Sequence, residues 1–406
     1  MGHLQLIAAG IRKAFADAIF RRDLRTMRAL IREVSGICSY LPYSVRAYAV
    51  RVRRPPKRVI RYRSHRASPA GEARASEARK CIDVYSSGDD EKDGEGGEDD
   101  AKPLLLFVHG GAWGSGERWH YAPLANALAD QNIIVGVCSY PMFPDVLVPE
   151  MVEDVRNAVV HFRESFTALK STKQRRFTVL GHSSGAHLLA MAMLTNRHHG
   201  NSTNELGQHP PDCFIGISGP YDITAHYAYE KYRGVAELSP MRDAMGGPDG
   251  FASNSPMMRI PDHNNASLES SASGRLIVPR TFLFDSEDDD VVKAEQSRQF
   301  GELLRAAKCP VVNMSYRDVT HAGFVIQTRR RGAPTRRYNH IQPNRRRQKQ
   351  RWQRQHQWNE IDGEDKFTDT DGILCQESTE EPIIASASTA PHLTPALRDV
   401  VHIVTL

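Results

Sequence analysis

Ser183 has a glycine two positions before it and another two after, in Gly181-His182-Ser183-Ser184-Gly185. A short β-rich run from Phe177 to Leu180 leads into it, and an apolar helical pattern follows from Ala186. Strand, tight turn and helix is the context in which G-x-S-x-G forms a nucleophile elbow. The turn leaves little room for a Cβ at either glycine. The serine is then held in a strained conformation at a helix N-terminus, where the dipole favours negative charge. Such a serine can attack a carbonyl, and the backbone N–H of Ser184 is placed to receive the oxyanion that results. A second motif, His109-Gly110-Gly111-Ala112-Trp113, directly follows the apolar run Leu104-Leu105-Leu106-Phe107-Val108. A Gly-Gly turn there lets the amides of Gly110 and Gly111 point at the same carbonyl oxygen, because no side chain blocks the approach.

An activated serine needs a base and an acid, and on this kind of scaffold they follow it in the order acid, then histidine. His321, in Asp318-Val319-Thr320-His321-Ala322-Gly323, comes after a late strand pattern and fits the base. His109, His182 and His187 lie inside the two motifs and have structural roles there. The acid falls in Asp285-Ser286-Glu287-Asp288-Asp289-Asp290-Val291-Val292, after another strand pattern. A carboxylate there orients the imidazole and stabilises its cation. Four aspartates compete. Spacing to Val292-Lys293 favours Asp289, with Asp288 as the rival.

These residues require a scaffold of buried strands and covering helices. The continuous apolar run at Leu104 to Val108 suits a strand covered on both faces of a parallel sheet. Further strands are read at Val59–Tyr62, Cys81–Tyr85, Ile133–Tyr140, Phe177–Leu180, Phe214–Ser218, Arg280–Phe284 and Val311–Tyr316. Helices are read at Tyr121–Asp130, from Pro149 with Val152, Val155, Val159 and Phe162 facing inward, and at Ala294–Leu304. The alternation predicts an α/β doubly wound fold. After His321 it stops, and Thr394 to Ile403 resumes as a capped amphipathic helix.

The chain has 406 residues, a net charge of +5 and 40% hydrophobic residues, enough for a real core. Its six cysteines show no paired spacing, so neither a zinc site nor a disulfide framework is indicated. Charge is strongly segregated. Residues 1–80 are Arg-rich, 88–100 almost wholly acidic or glycine, and 329–354 basic with no acidic residue. Such runs are typical of solvated segments. No window is apolar enough to span a bilayer. The organisation expected is a basic amphipathic helical extension (1–58) and a catalytic domain (59–327) with an acidic loop insertion (86–101). A low-complexity insertion (328–389) and a terminal helix of that domain (390–406) complete it. In the extension, Ile7, Ile11, Phe15 and Ile19 share one helix face; Leu24, Met27, Leu30, Ile31 and Val34 share another. Such helices can cap the core, lie on a membrane surface or serve as a presequence. The 329–354 run, with Trp352 inside it and Trp358 just after it, could contact RNA phosphates and bases. Nucleic acid is not the partner expected, since basic tracts in insertions are mostly just solvated.

From about Val59 to Val325 the chain resembles the isoprenylcysteine α-carbonyl methylesterase family of α/β-hydrolases. The resemblance rests on HGGAW, on GHSSGAHL, and on Ile217-Ser218-Gly219-Pro220-Tyr221-Asp222. His226-Tyr227, Tyr232-Arg233-Gly234, Ser239-Pro240 and Thr320-His321 add to it. It departs where the family has His-Gly before the acid, here Asp285-Ser286, and Pro after it, here Lys293. The resemblance implies an α/β-hydrolase fold, a mostly parallel central sheet with helices on both faces. It also implies a Ser183–Asp289–His321 triad with no metal and no organic cofactor. The implied substrate is the methyl ester of a C-terminal prenylated cysteine, free or on a protein. An arylformamidase acting on N-formylkynurenine, or another small-ester carboxylesterase, is the enzyme alternative. An apolar substrate of that kind suggests peripheral membrane contact through residues 1–54, at the endoplasmic reticulum or Golgi, with the cytoplasm as alternative.

Overall fold

The computed structural model describes residues 31, 41–63, 77–87, 102–167, 175–194, 210–260, 278–326 and 393–405. The strand runs pair into one eight-stranded sheet. In chain order they are β1 (Arg58–Arg61), β2 (Cys81–Tyr85), β3 (Leu104–Val108), β4 (Ile134–Ser139), β5 (Phe177–His182), β6 (Cys213–Ile217), β7 (Arg280–Ser286) and β8 (Val311–Tyr316). Their spatial order is β1-β2-β4-β3-β5-β6-β7-β8. β1 and β2 pair antiparallel, as do β2 and β4, and every later pairing is parallel. Every residue of β3 and β5 is buried, which explains their unbroken apolar runs: both faces of the central strands are covered.

The helices are α1 (Leu41–Arg53), α2 (Ala122–Ala129), α3 (Val148–Thr167), α4 (Ser184–Leu194), α5 (Ile223–Arg233), α6 (Met241–Ala244), α7 (Ala294–Ala306), α8 (Gly323–Ile326) and α9 (Pro395–Thr405). α4 is apolar all round and wholly buried, as the central helix of such a fold must be. α3 buries Val152, Val155, Val159 and Phe162 on one side of the sheet. On the other side, Leu397, Val400, Val401 and Val404 of α9 pack in one cluster with Phe324, Val325 and α2. Thr394 Oγ1 caps α9 by accepting from the Leu397 amide at 3.3 Å, and Tyr316 Oη donates to Asp399 at 2.7 Å.

Several element boundaries differ from the sequence reading by one or two residues. β7 runs two residues beyond Phe284, so Ser286 closes the strand and Asp285 lies within it. The helix read from Tyr121 begins at Ala122, after a 3-10 turn at Arg118–Tyr121. α1 was not distinguished at all: its Pro42 and valines weaken a helical pattern. It is fastened instead by side chains. Tyr43 Oη donates to the His120 carbonyl at 2.7 Å, and Arg51 and Arg118 both pair with the fully buried Asp83. Most of residues 1–40, and all of 88–101 and 327–392, lie outside the described residues, and with them nearly all of the two expected amphipathic helices, most of the acidic insertion and the whole low-complexity insertion.

Candidate active site

Parallel pairing brings the chemistry to one edge of the sheet. Val108 pairs with Gly181, and Ile217 with Phe284, so the ends of β3, β5, β6 and β7 line up at their carboxyl side. Ligands of open α/β sheets bind outside that edge. Ser183 leaves β5 at φ 55°, in the left-handed region that a non-glycine residue rarely occupies. Its amide donates to the Ile217 carbonyl at 2.8 Å and its carbonyl accepts from Ala186 and His187, so strand and helix both hold the strained residue. The glycine at 185 is demanded by packing. A Cβ there would lie 2.2 Å from the Val108 carbonyl oxygen.

The second motif folds over this elbow. A Cβ on Gly110 would lie 2.8 Å from the Ser183 Cβ, so loop and serine are in direct contact. His109 anchors the start of the loop: its ring stacks on Tyr140 at 4.8 Å, and Tyr140 Oη donates to its carbonyl at 2.9 Å. None of the amides of Gly110, Gly111 and Ser184 is used by a turn or cap hydrogen bond among the described residues. Ser184 opens α4, where the first amides have no partner within the helix.

His321 stands in the turn between β8 and α8. Its Nδ1 donates to Asp289 Oδ2 at 2.8 Å. This fixes the tautomer and leaves Nε2 as an acceptor. Asp289 Oδ1 accepts from the Val291 and Val292 amides, each at 2.9 Å. Burial alone would raise this carboxyl. The neighbouring His321 and these hydrogen bonds outweigh it and hold the group down at about 2, so it stays charged. The other aspartates of the loop face elsewhere. Asp288 accepts from the Asp318 amide at 2.6 Å, and the Asp290 carbonyl accepts from Tyr229 at 3.0 Å. Asp285 is buried beneath, pushed up to about 6 by burial, with the Ser315 hydroxyl and Arg298 opposing.

One residue of the site escaped the sequence reading. His182 Nε2 donates to the His321 carbonyl at 2.9 Å, with the two rings 4.7 Å apart. The loop carrying the base is therefore tied to the residue just before the nucleophile. Burial holds His182 neutral, down at about 3. Its place beside Ser183 was visible in the sequence; its partner 139 positions away was not. Among the described residues no group of three or more His, Cys, Asp or Glu could hold a metal ion.

Sheet order and elbow define the α/β-hydrolase fold, with Ser183 and the His321–Asp289 pair carried on turns that follow β5, β7 and β8. The chain belongs to the BD-FAE family, whose model matches residues 95–304, more than half of its length. It is 27% identical over 241 residues to an isoprenylcysteine alpha-carbonyl methylesterase of Arabidopsis thaliana, covering 58% of this chain and 53% of that one. The chain spans about half the length of the methylesterases it matches. It is 24% identical over 256 residues to the kynurenine formamidase of Drosophila melanogaster, covering 63% of this chain and 75% of that one. Among solved structures, esterase B from Lactobacillus rhamnosis shares the fold, with a TM-score of 0.51 and 14% identity over 82% of this chain and 100% of that one.

Proposed function

We propose that the protein is a serine carboxylesterase that hydrolyses the methyl ester of a C-terminal prenylated cysteine. The observation that carries the esterase reading is the buried, charged Asp289 accepting from His321 Nδ1. That bond leaves Nε2 of His321 as the nitrogen that can take a proton. Ser183 Oγ attacks the ester carbonyl as His321 takes its proton, and the imidazolium is balanced by Asp289. The amides of Gly110, Gly111 and Ser184 receive the oxyanion. His321 returns the proton to the departing methanol, and water, activated by the same histidine, releases the acid.

The prenylcysteine substrate is supported by similarity to the methylesterases. A second reading, hydrolysis of N-formylkynurenine, is favoured by the similarity that spans three-quarters of a kynurenine formamidase. Purified protein assayed on prenylcysteine methyl ester and on N-formylkynurenine separates them. Saturable release of methanol from the ester is expected. Saturable turnover of the formamide alone would overturn the substrate.

Peripheral attachment to endoplasmic reticulum or Golgi membranes through residues 1–54 is part of the proposal. Leu41, Val45, Tyr48 and Val52 form an exposed apolar stripe along α1. Arg53, Lys57, Arg58 and Arg61 are exposed beside it. An apolar stripe with basic flanks suits an anionic lipid surface. No helix among the described residues is long and apolar enough to cross a membrane.

A further inference from the structure

The loop expected to hold the oxyanion adopts a backbone that it cannot favour by itself. Gly111 sits at φ 137°, and the two residues after it, Ala112 and Trp113, at φ 50° and 60°. Consecutive non-glycine residues in the left-handed region are disfavoured and persist only where surrounding contacts over-determine them. Within the loop, the Gly111 carbonyl accepts from the Gly114 and Ser115 amides at 3.1 and 2.9 Å. The remaining hold comes from outside. Trp113 Nε1 donates to His187 Nδ1 at 3.1 Å, with the rings edge to face at 5.2 Å. His187 Nε2 donates to the Asn254 carbonyl at 2.7 Å. An indole N–H can only donate, so Nδ1 of His187 is the acceptor and its single proton sits on Nε2. The Asn254 carbonyl is the matching acceptor. Asn254 is itself fixed, since its side-chain amide donates to the carbonyls of Met245 at 3.2 Å and Gly250 at 2.9 Å.

We propose that His187 and Trp113 are positioning residues of the oxyanion site, tying the Gly110–Gly111 amides to the helix that carries the nucleophile. The inference rests on the serine esterase reading. His187 lies one turn after Ser183, and its amide donates to the Ser183 carbonyl at 3.1 Å. One helical turn thus sets the spacing between the attacking oxygen and the loop. The contact leaves no slack, because Gly110 touches Ser183 directly. His187 is fully buried, and burial holds it down at about 4, so the single-proton form persists at neutral pH. Oxyanion donors act only when they meet the position that the charged oxygen will occupy. A loop that drifts therefore weakens the transition state and leaves ground-state binding nearly intact.

Trp113→Phe keeps an aromatic ring, smaller than the indole, and removes the donor. His187→Ala removes both bonds, and His187→Asn retains an acceptor close to the position of Nδ1. Each is compared with the parent on p-nitrophenyl butyrate, with active sites counted by fluorophosphonate at completion. Trp113→Phe and His187→Ala should each lower kcat by roughly 10-fold to 100-fold, less than outright deletion of a donor, with KM changed under about 2-fold. Affinity for a trifluoromethyl ketone, which places an oxyanion in the site, should fall by the same factor as kcat. His187→Asn should recover most of the loss. The double variant should be no slower than the slower single variant, since both break one linkage. Fully labelled variants with parental kcat, or a lowered kcat with unchanged ketone affinity, would overturn the inference. A parent chain whose Ser183 takes no fluorophosphonate would overturn the esterase reading along with it.

Discussion

Asp285 and Asp289, four positions apart, meet opposite surroundings. Asp289 is held at about 2 by His321 and two backbone amides, whereas burial pushes Asp285 up to about 6. The consequences for stability have opposite sign. Asp289 contributes stability above its unfolded value near 4, lost as pH falls through about 2. For Asp285 the folded chain binds the proton more tightly than the unfolded chain. Its contribution is full below about 4 and is lost as pH rises through about 6. Asp285→Asn should therefore be more stable than the parent by at most about 3 kcal/mol at pH 8 and close to it near pH 4, in urea melts at both pH values. A variant less stable than the parent at pH 8 would show that the charged Asp285–Arg298 pair is a net gain. Function separates the aspartates too. Asp289→Asn should lower kcat by roughly 10⁴-fold, as expected when the histidine loses its orienting anion. Asp288→Asn, which loses a charge but keeps an oxygen that can accept from the Asp318 amide, should stay within about 10-fold. The reverse ranking in steady-state assays would move the acid by one position. The sequence leaves these two neighbours open because they differ in nothing but register. Only the fold shows that 289 turns toward His321 and 288 toward Asp318.

Elements were legible where a local pattern forces them. The glycines of the elbow, the apolar run of β3 and the alternation of strands with helices each announce their structure over a few residues. The sequence reads α9 as a helix on the same ground, and the structure packs it against α8 and α2, elements distant from it in sequence. α1 was missed because it is held by distant partners, Asp83 and the His120 carbonyl, more than by its own propensity. The elbow itself offers a test at this scale. Gly185→Ala would drive a Cβ into the Val108 carbonyl, between α4 and β3. Over-packing of backbone against backbone should cost at least about 1–3 kcal/mol, seen as a lower urea midpoint. An unchanged midpoint would mean that α4 can slide, and that the elbow is less tightly clamped than its contacts imply.

Across the molecule, the helix proposed to meet a membrane lies close to the loop proposed to hold the oxyanion. α1 bears the exposed stripe and packs on the 3-10 turn that follows the oxyanion loop, with Tyr48 edge-on to Trp119 at 6.1 Å. Leu41→Ser/Val45→Ser/Val52→Ser alters only exposed side chains. It should reduce flotation of the full chain with anionic liposomes at least several-fold, and added salt should weaken parental binding, since part of it is electrostatic. Equal flotation of both chains would remove α1 from the membrane reading. The esterase reading stands apart from that outcome and turns on one side chain. The most direct measurement is mapping of the adduct after fluorophosphonate treatment, with Ser183→Ala alongside. One label per chain on Ser183 is expected, with loss of both label and ester hydrolysis in Ser183→Ala at an unchanged unfolding midpoint. Stoichiometric labelling of another serine, or hydrolysis at the parental rate in Ser183→Ala, would contradict the account.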